Sequence, residues 1–222
     1  DKNKIIAVTE PGQCVSVDQL ESSVPGLIAQ LKGTPTKQRY TCATVFIDQA
    51  TRFCYVHLQK STSAEETVQA KIAFEQVANS HGVIVQHYHA DNGRFAENKF
   101  REAVANSGQT ISFCGVNAHH QNALAERRIR HLEEQSRTML IHGEKNWKAI
   151  SVHHWPYALR LQNEIDNSTI NSVTKKVPIN EFSNSKVAVN PKHWFPFGCP
   201  VYVLDNRLQA GKKIDKWAAR AR

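Results

Sequence analysis

At 222 residues with 41% hydrophobic content, the chain is long enough for one substantial core, alone or with a small appendage. Its formal charge of +8 attracts phosphate backbones or an anionic membrane surface. The sequence holds neither an apolar run of about eighteen residues nor a three-part signal peptide, so the charge points to nucleic acid as partner and to no membrane.

Residues 1–12 end in Pro11-Gly12 and read as a lead-in segment. In Cys14-Val15-Ser16-Val17-Asp18, Val15 and Val17 share one face and Ser16 and Asp18 the other, which predicts a short strand ending in a carboxylate. The stretch from about Glu21 to Gln38, with Pro25-Gly26, Gly33 and Pro35, reads as an excursion holding at most a short strand. Two β-rich runs follow, Tyr40 to Ile47 and Phe53 to Leu58, joined by Asp48 to Arg52, a hairpin-length connection. The first three strands are therefore predicted to form an antiparallel meander.

Ser63 and Glu66 form a capping box ahead of a helix that carries Val68, Ile72, Phe74 and Val77 and stops at His81-Gly82. A strand over Val83 to His89, a helix from about Glu97 to Asn106 and a strand from Thr110 to Cys114 come next, an alternation that argues for parallel pairing. From about Ala123 to Ile141 a long helix has Ala125, Ile129, Leu132, Ser136, Met139 and Leu140 on one stripe. Glu126, Arg130, Glu133 and Arg137 lie on the adjacent stripe. A further helix is predicted over Trp147 to Ile165, then a segment rich in Asn, Pro, Lys and aromatics with one strand candidate, Pro200 to Leu204, and a basic tail from Lys212 to Arg222.

Cys14, Cys42, Cys54, Cys114 and Cys199 form no CxxC pair, and an odd count in apolar, strand-like surroundings suits reduced thiols of an intracellular protein. No histidine pair meets a cysteine pair at zinc-finger spacing, and the adjacent His119 and His120 would point in different directions.

Three acids carry the chemical argument. Asp18 comes from the first strand, Asp91 follows the fourth, and Glu126 sits on the long helix. If the sheet brings them together, the oxygen-rich pocket suits Mg²⁺ or Mn²⁺, and two ions about 4 Å apart can drive in-line displacement at phosphorus. Taken singly, each has an ordinary explanation: Asp91-Asn92-Gly93 is a turn sequence, and Glu126 is one more acid on an amphipathic helix. Asp48 rivals Asp18 as first carboxylate, although it fits the first position of a turn, where Asp bonds its own backbone. His87 and His89, on one side of the strand before Asp91, are read as packing or hydrogen-bonding groups. Arg130 lies one turn beyond Glu126 with Arg127 and Arg128 beside it, positioned either for DNA phosphates or for ion pairs with Glu126, Glu133 or Glu134. Asn122 stands where it would touch DNA or cap the helix.

The segments around these residues resemble retroviral-type integrases, most closely those of copia-like LTR retrotransposons. His89-Ala90-Asp91-Asn92-Gly93-Arg94-Phe95 is similar to that group's second-carboxylate motif, and Asn122-Ala123-Leu124-Ala125-Glu126-Arg127-Arg128 to the motif around its third. Phe46 to Arg52 resembles the family's hairpin signature, and Phe197 to Val203 a segment found after its core. The 34 residues between Asp91 and Glu126 are one fewer than is customary in the family, and Asn122-Ala123 replaces Asn-Gly, which stiffens the loop.

The resemblance implies an α/β, RNase H-like fold: a mixed five-stranded sheet, antiparallel meander then parallel strands, flanked by helices. The catalytic core would span residues 13–166, followed by a C-terminal extension with a basic tail over 167–222. It also implies a polynucleotidyl transferase of the Asp-Asp-Glu type, cut from a polyprotein, that processes DNA 3′ ends and transfers strands. Asp18, Asp91 and Glu126 would be both catalytic residues and ligands of two Mg²⁺ or Mn²⁺ ions, with Asn122, Arg127, Arg128 and Arg130 on DNA. Asp48 corresponds to an acid of the family's second strand, outside the metal site. The partners implied are element ends, target DNA and further copies of the chain, in the nucleus or a retroelement particle. The alternative is an integrase-derived DNA-binding or assembly module without turnover.

Overall fold

The computed structural model describes residues 8–30, 36–114, 122–186 and 194–221. Five strands, β1 (Val15–Gly26), β2 (Tyr40–Asp48), β3 (Cys54–Gln59), β4 (His87–Ala90) and β5 (Thr110–Phe113), form one sheet in the order β3-β2-β1-β4-β5. β1, β2 and β3 are antiparallel, while β1 pairs with β4 and β4 with β5 in parallel. This is the meander followed by parallel strands that the alternation of elements predicts.

The alternating side chains of β1 and β2 feed two different cores. Val15, Val17 and Phe46 face α1 (Ala64–Ser80) and α2 (Asn98–Asn106), where Phe46 stacks on Phe74 with ring centroids 4.7 Å apart. Leu20, Val45 and Ile47 face α3 (Ala123–Asn146) and α4 (Trp155–Ser168), packing with Ala125, Leu132 and Leu159. Burying each large apolar side chain contributes about 2 kcal/mol, so both faces specify the register. Phe182, on the short α5 (Pro178–Ser183), stacks on Phe53 at 4.2 Å, which brings residues beyond 167 into the first core.

Several boundaries differ from the sequence expectation. β1 does not end at Asp18 but runs on to Gly26, with an irregularity between Glu21 and Gly26 that a period-two pattern hides. Gly26 packs there against α4, where a Cβ would come within 2.4 Å of the Pro156 ring. β4 begins at His87, because Val83 and Val85 are buried without pairing along the ladder and the Gln86 amide donates instead to Gly12 O. Ser63 does cap α1, but the Glu66 carboxylate reaches past it to the amides of Lys60 and Ser61. The buried stripe of α1 is Thr67, Ala70, Lys71, Phe74 and Ala78, and Ile72 is exposed. Lys71 is accommodated by Glu75 and Ser107, each 3.0 Å from its Nζ. α3 continues to Asn146 and takes Trp147 as its C-cap, so α4 starts at Trp155.

Pro200 to Leu204 is not a strand. Val201 and Tyr202 are each 78% exposed, and Leu204 makes a lone bridge to Ala221 before the four-residue α6 (Asn206–Gln209). Alternating β-formers lack a neighbouring edge there, and without a ladder the propensity goes unused. His119 and His120 lie outside the described residues.

Candidate active site

Register brings the first two acids together. Val17 of β1 lies opposite Ala90 of β4 in parallel pairing, so Asp18 and Asp91 are the next residues along adjacent strands. Because Val17 and Ala90 face the α1/α2 core, alternation turns the following residue toward the α3 side. Asp91 marks the carboxyl end of β4, the end of parallel strands where α/β sheets place their ligands.

The Asp91 turn is held from three sides. Asp91 Oδ1 accepts from Gly93 N at 3.3 Å. Phe95 is buried, edge-on to Phe100 with centroids 5.2 Å apart. Arg94 donates to Glu21 Oε1 on β1 at 2.7 Å and to Thr62 O at 3.2 Å. Gly93 leaves room for the acid, since a Cβ there would sit 3.1 Å from Asp91 Oδ2.

Glu126 arrives in the first turn of α3. The helix start is pinned to the sheet: Asn122 Nδ2 donates to Val17 O at 3.1 Å, directly before Asp18. Ala125, fully buried, lets the helix approach the sheet closely.

Electrostatics register the grouping. The Asp18 carboxyl is pushed up from 3.8 to about 6, mostly by burial, with Asp91 and Glu126 adding to the rise and the Gln19 amide, at 2.8 Å, opposing it. At the end of β5, burial raises the Cys114 thiol, and Asp91, Glu126 and Asp18 raise it further. Three acids from separate elements thus share one negative field, and none of the ion pairs found among the described residues uses any of them. Carboxylate oxygens so gathered match hard divalent cations. Among the described residues, no three His, Cys, Asp or Glu side chains are drawn close enough to form a finished metal-binding group.

Asp48 has a different role. It is fully buried and accepts from Gly12 N at 2.8 Å, Thr51 N at 2.8 Å and Thr51 Oγ1 at 2.7 Å. Asp18 pairs with Val45, and Asp48 lies three residues further along β2, on the opposite face. Two of these bonds stay within the turn, as the turn reading expects, and the third ties the turn to Gly12.

The four residues expected on DNA separate. Arg127 and Arg130 are exposed, and neither joins an ion pair among the described residues, so of the two alternatives for Arg130 the pairing with neighbouring glutamates is not made. Arg128 points inward to Asp166 of α4 at 3.0 Å, its side chain 14% exposed. Asn122 is 1% exposed and donates its amide to Val17 O, so it stands at the N-cap position without a side-chain capping bond and offers no surface contact. His87 bonds Thr110 and Ser112, and His89 bonds Ser112 while lying 3.6 Å from Cys114 Sγ, as hydrogen-bonding groups. Cys42, Cys54 and Cys114 are buried, Cys14 and Cys199 half-buried, and all five are free. Sequence reasoning missed Arg94, whose partner Glu21 lies in the stretch read as an excursion.

No protein-family model matches the chain. Solved structures do resemble it. The HTLV-2 integrase catalytic core, solved with magnesium in a trimeric form, superposes with a TM-score of 0.56 at 16% identity, over 78% of this chain and 97% of that one. A chain of the simian T-cell lymphotropic virus intasome in complex with PP2A regulatory subunit B56 gamma gives a TM-score of 0.58 at 15% identity over 97% of this chain and 67% of that one. The BIV integrase catalytic core gives 0.54 at 14% identity, covering 78% and 95%. The protein has the fold of retroviral integrase catalytic cores, the RNase H-like arrangement of a mixed five-stranded sheet flanked by helices.

Proposed function

We propose that the chain is the catalytic core of a retroelement integrase of the copia-like type, a polynucleotidyl transferase that processes DNA 3′ ends and joins them to target DNA. The observation that carries this reading is the register of β1 and β4, which puts Asp18 beside Asp91 under the helix that bears Glu126. The three acids fit divalent cations by donor type and by uncompensated charge, and they are the residues we assign to Mg²⁺ or Mn²⁺. Two ions held there would supply activation of the attacking oxygen and relief of charge on the leaving one.

The chain's own residues do the positioning. Burial and the two neighbouring acids raise Asp18 toward neutrality, so a cation is the natural partner for its ionised form. Gly93, Arg94 and Phe95 hold the Asp91 carboxylate at the strand end, and Asn122 fixes the first turn of α3 against Val17 O. Arg127 and Arg130, exposed beside Glu126, contact phosphates of the bound strand. DNA ends, target DNA and further copies of the chain are the partners, in the nucleus or a retroelement particle. The HTLV-2 core is solved in both trimeric and dimeric forms, which supports self-association here.

Purified protein with Mn²⁺ should catalyse strand transfer, or its reversal, on a branched DNA substrate, and Asp91→Asn should abolish it. Wild-type activity in Asp91→Asn would remove the site. A second reading, an assembly or DNA-binding module without turnover, draws on the absence among the described residues of a closed three-ligand group. Under that reading the protein binds the branched substrate, and Mn²⁺ changes neither binding nor product.

A further inference from the structure

A cavity of about 390 Å³ opens between the β2–β3 turn, the first turns of α3 and the end of α4, and its lining does not include the three acids. Arg52, Arg127, Arg128 and His131 contribute to it, and Asp166 is the one carboxylate among the lining residues. That carboxylate is fully engaged: it accepts from Arg128 at 3.0 Å, from Gln162 Nε2 at 2.8 Å, and lies 3.2 Å from His131 Nε2. Arg128 Nε and Nη2 are buried with no nitrogen or oxygen acceptor among the described residues, the Cys54 sulfur lying beside the guanidinium, and the lining sets one carboxylate against three guanidiniums.

Arg52 and Arg127 complete the imbalance. Neither has an ion-pair partner among the described residues; burial and the positive charge of Arg127 disfavour the Arg52 cation, and the Asp48 carboxylate offsets them only in part. Arg52 also occupies the left-handed region, with φ of 68°. A long side chain is costly there where glycine or asparagine is the usual choice, and such outliers cluster at functional positions. The turn that imposes this conformation is the one Asp48 anchors, through Arg52 N donating to Asp48 O at 2.9 Å and through its bonds to Thr51 and Gly12. Asp48 anchors the turn from which Arg52 joins the cavity lining.

We propose that this cavity binds a phosphate group, gripped by the guanidiniums of Arg52 and Arg127 with Arg128 providing positive charge behind them. A guanidinium offers paired N–H donors that match two oxygens of a tetrahedral anion, and two free guanidiniums supply donors for a phosphate that a planar carboxylate could not fully use. The source of the phosphate is either a nucleic-acid backbone, since Arg127 directly follows Glu126 on α3, or a free phosphorylated molecule. The inference stands apart from the metal chemistry, because no residue of the cavity is one of the three acids.

The test is calorimetric titration of the full chain in EDTA, with inorganic pyrophosphate as one probe and a short DNA duplex as the other. Arg52→Gly suits the left-handed backbone and Arg127→Gln lies on an exposed helix position, so both variants keep the fold, as an unchanged or higher melting temperature verifies. Each should weaken pyrophosphate binding about tenfold or more, the loss expected for a charge-assisted bidentate contact. If duplex affinity falls in parallel and its salt dependence flattens by about one unit of slope per contact removed, the phosphate is that of nucleic acid. If duplex binding is unchanged while pyrophosphate binding is lost, the site takes a free phosphate. Wild-type pyrophosphate affinity in both variants overturns the proposal, and so does an equal loss in a Lys212→Gln, Lys213→Gln control, which would mean that net charge and not the cavity is being read.

Discussion

Replacing Asp18 by Asn should make the protein more stable at neutral pH. The carboxyl titrates near 6 in the folded chain against 3.8 ordinarily, raised by burial and then by Asp91 and Glu126. Its ionised form is therefore disfavoured by folding. The penalty is absent below pH 3.8, grows as pH rises, and is complete above about 6. The full displacement corresponds to ~3 kcal/mol, and solvent reaching the partly exposed carboxyl reduces this to roughly 1–3 kcal/mol. For a chain of this size that is a rise in melting temperature of roughly 3–10 °C at pH 7.5, shrinking to nothing near pH 4. Thermal unfolding of wild type and Asp18→Asn at both pH values, in EDTA, measures it. Saturating Mn²⁺ should reverse the order, because a ligand that binds only the folded wild type adds stability the variant lacks. A variant no more stable than wild type at pH 7.5 would refute the burial and neighbouring acids that raise the Asp18 carboxyl.

Other substitutions separate the chemistry from the scaffold. Asp48→Asn puts an amide against the donors of Gly12 and Thr51 and should cost about 1–3 kcal/mol in urea unfolding, leaving Mn²⁺ affinity unchanged. Asp166→Asn strips Arg128 of its counter-charge and should destabilise by roughly 3 kcal/mol in the same assay, a loss that Arg128→Met in the Asp166→Asn background partly restores. Gly93→Ala should lower strand-transfer activity by about tenfold or more with less than about 1 kcal/mol change in stability, because the new methyl presses on Asp91 Oδ2 and on nothing in the core. Equal losses of activity and stability in Gly93→Ala would mean that the glycine serves the fold alone.

The sheet order was legible because hairpin-length connections force antiparallel neighbours and helix crossovers force parallel ones. Asp18 and Asp91 could be paired from sequence only through that order. Where the reading failed, the deciding contacts were distant in sequence. β1 continues past Asp18 because it pairs with β2 up to Gly26 and packs on Trp155 and Pro156, none of which local alternation reveals. Arg128 looks like one more basic residue beside Glu126, and only the packing of α3 on α4 turns it inward to Asp166. Asn122 reads as a cap or a DNA contact until the sheet brings Val17 O to its amide. The opposite error occurred at Pro200 to Leu204, where a β-rich pattern has no edge to join. Arg52 gave no sign at all, since a positive φ in a five-residue connection is a property of the turn.

Asp18, Asp91 and Glu126 are proposed to hold divalent cations together. Mn²⁺ binding followed by electron paramagnetic resonance in wild type, Asp18→Asn, Asp91→Asn, Glu126→Gln and Asp48→Asn tests this proposal most directly. The first three substitutions should each weaken Mn²⁺ binding strongly, while Asp48→Asn should bind as wild type does. Wild-type binding in all of the first three, or loss confined to Asp48→Asn, would contradict it.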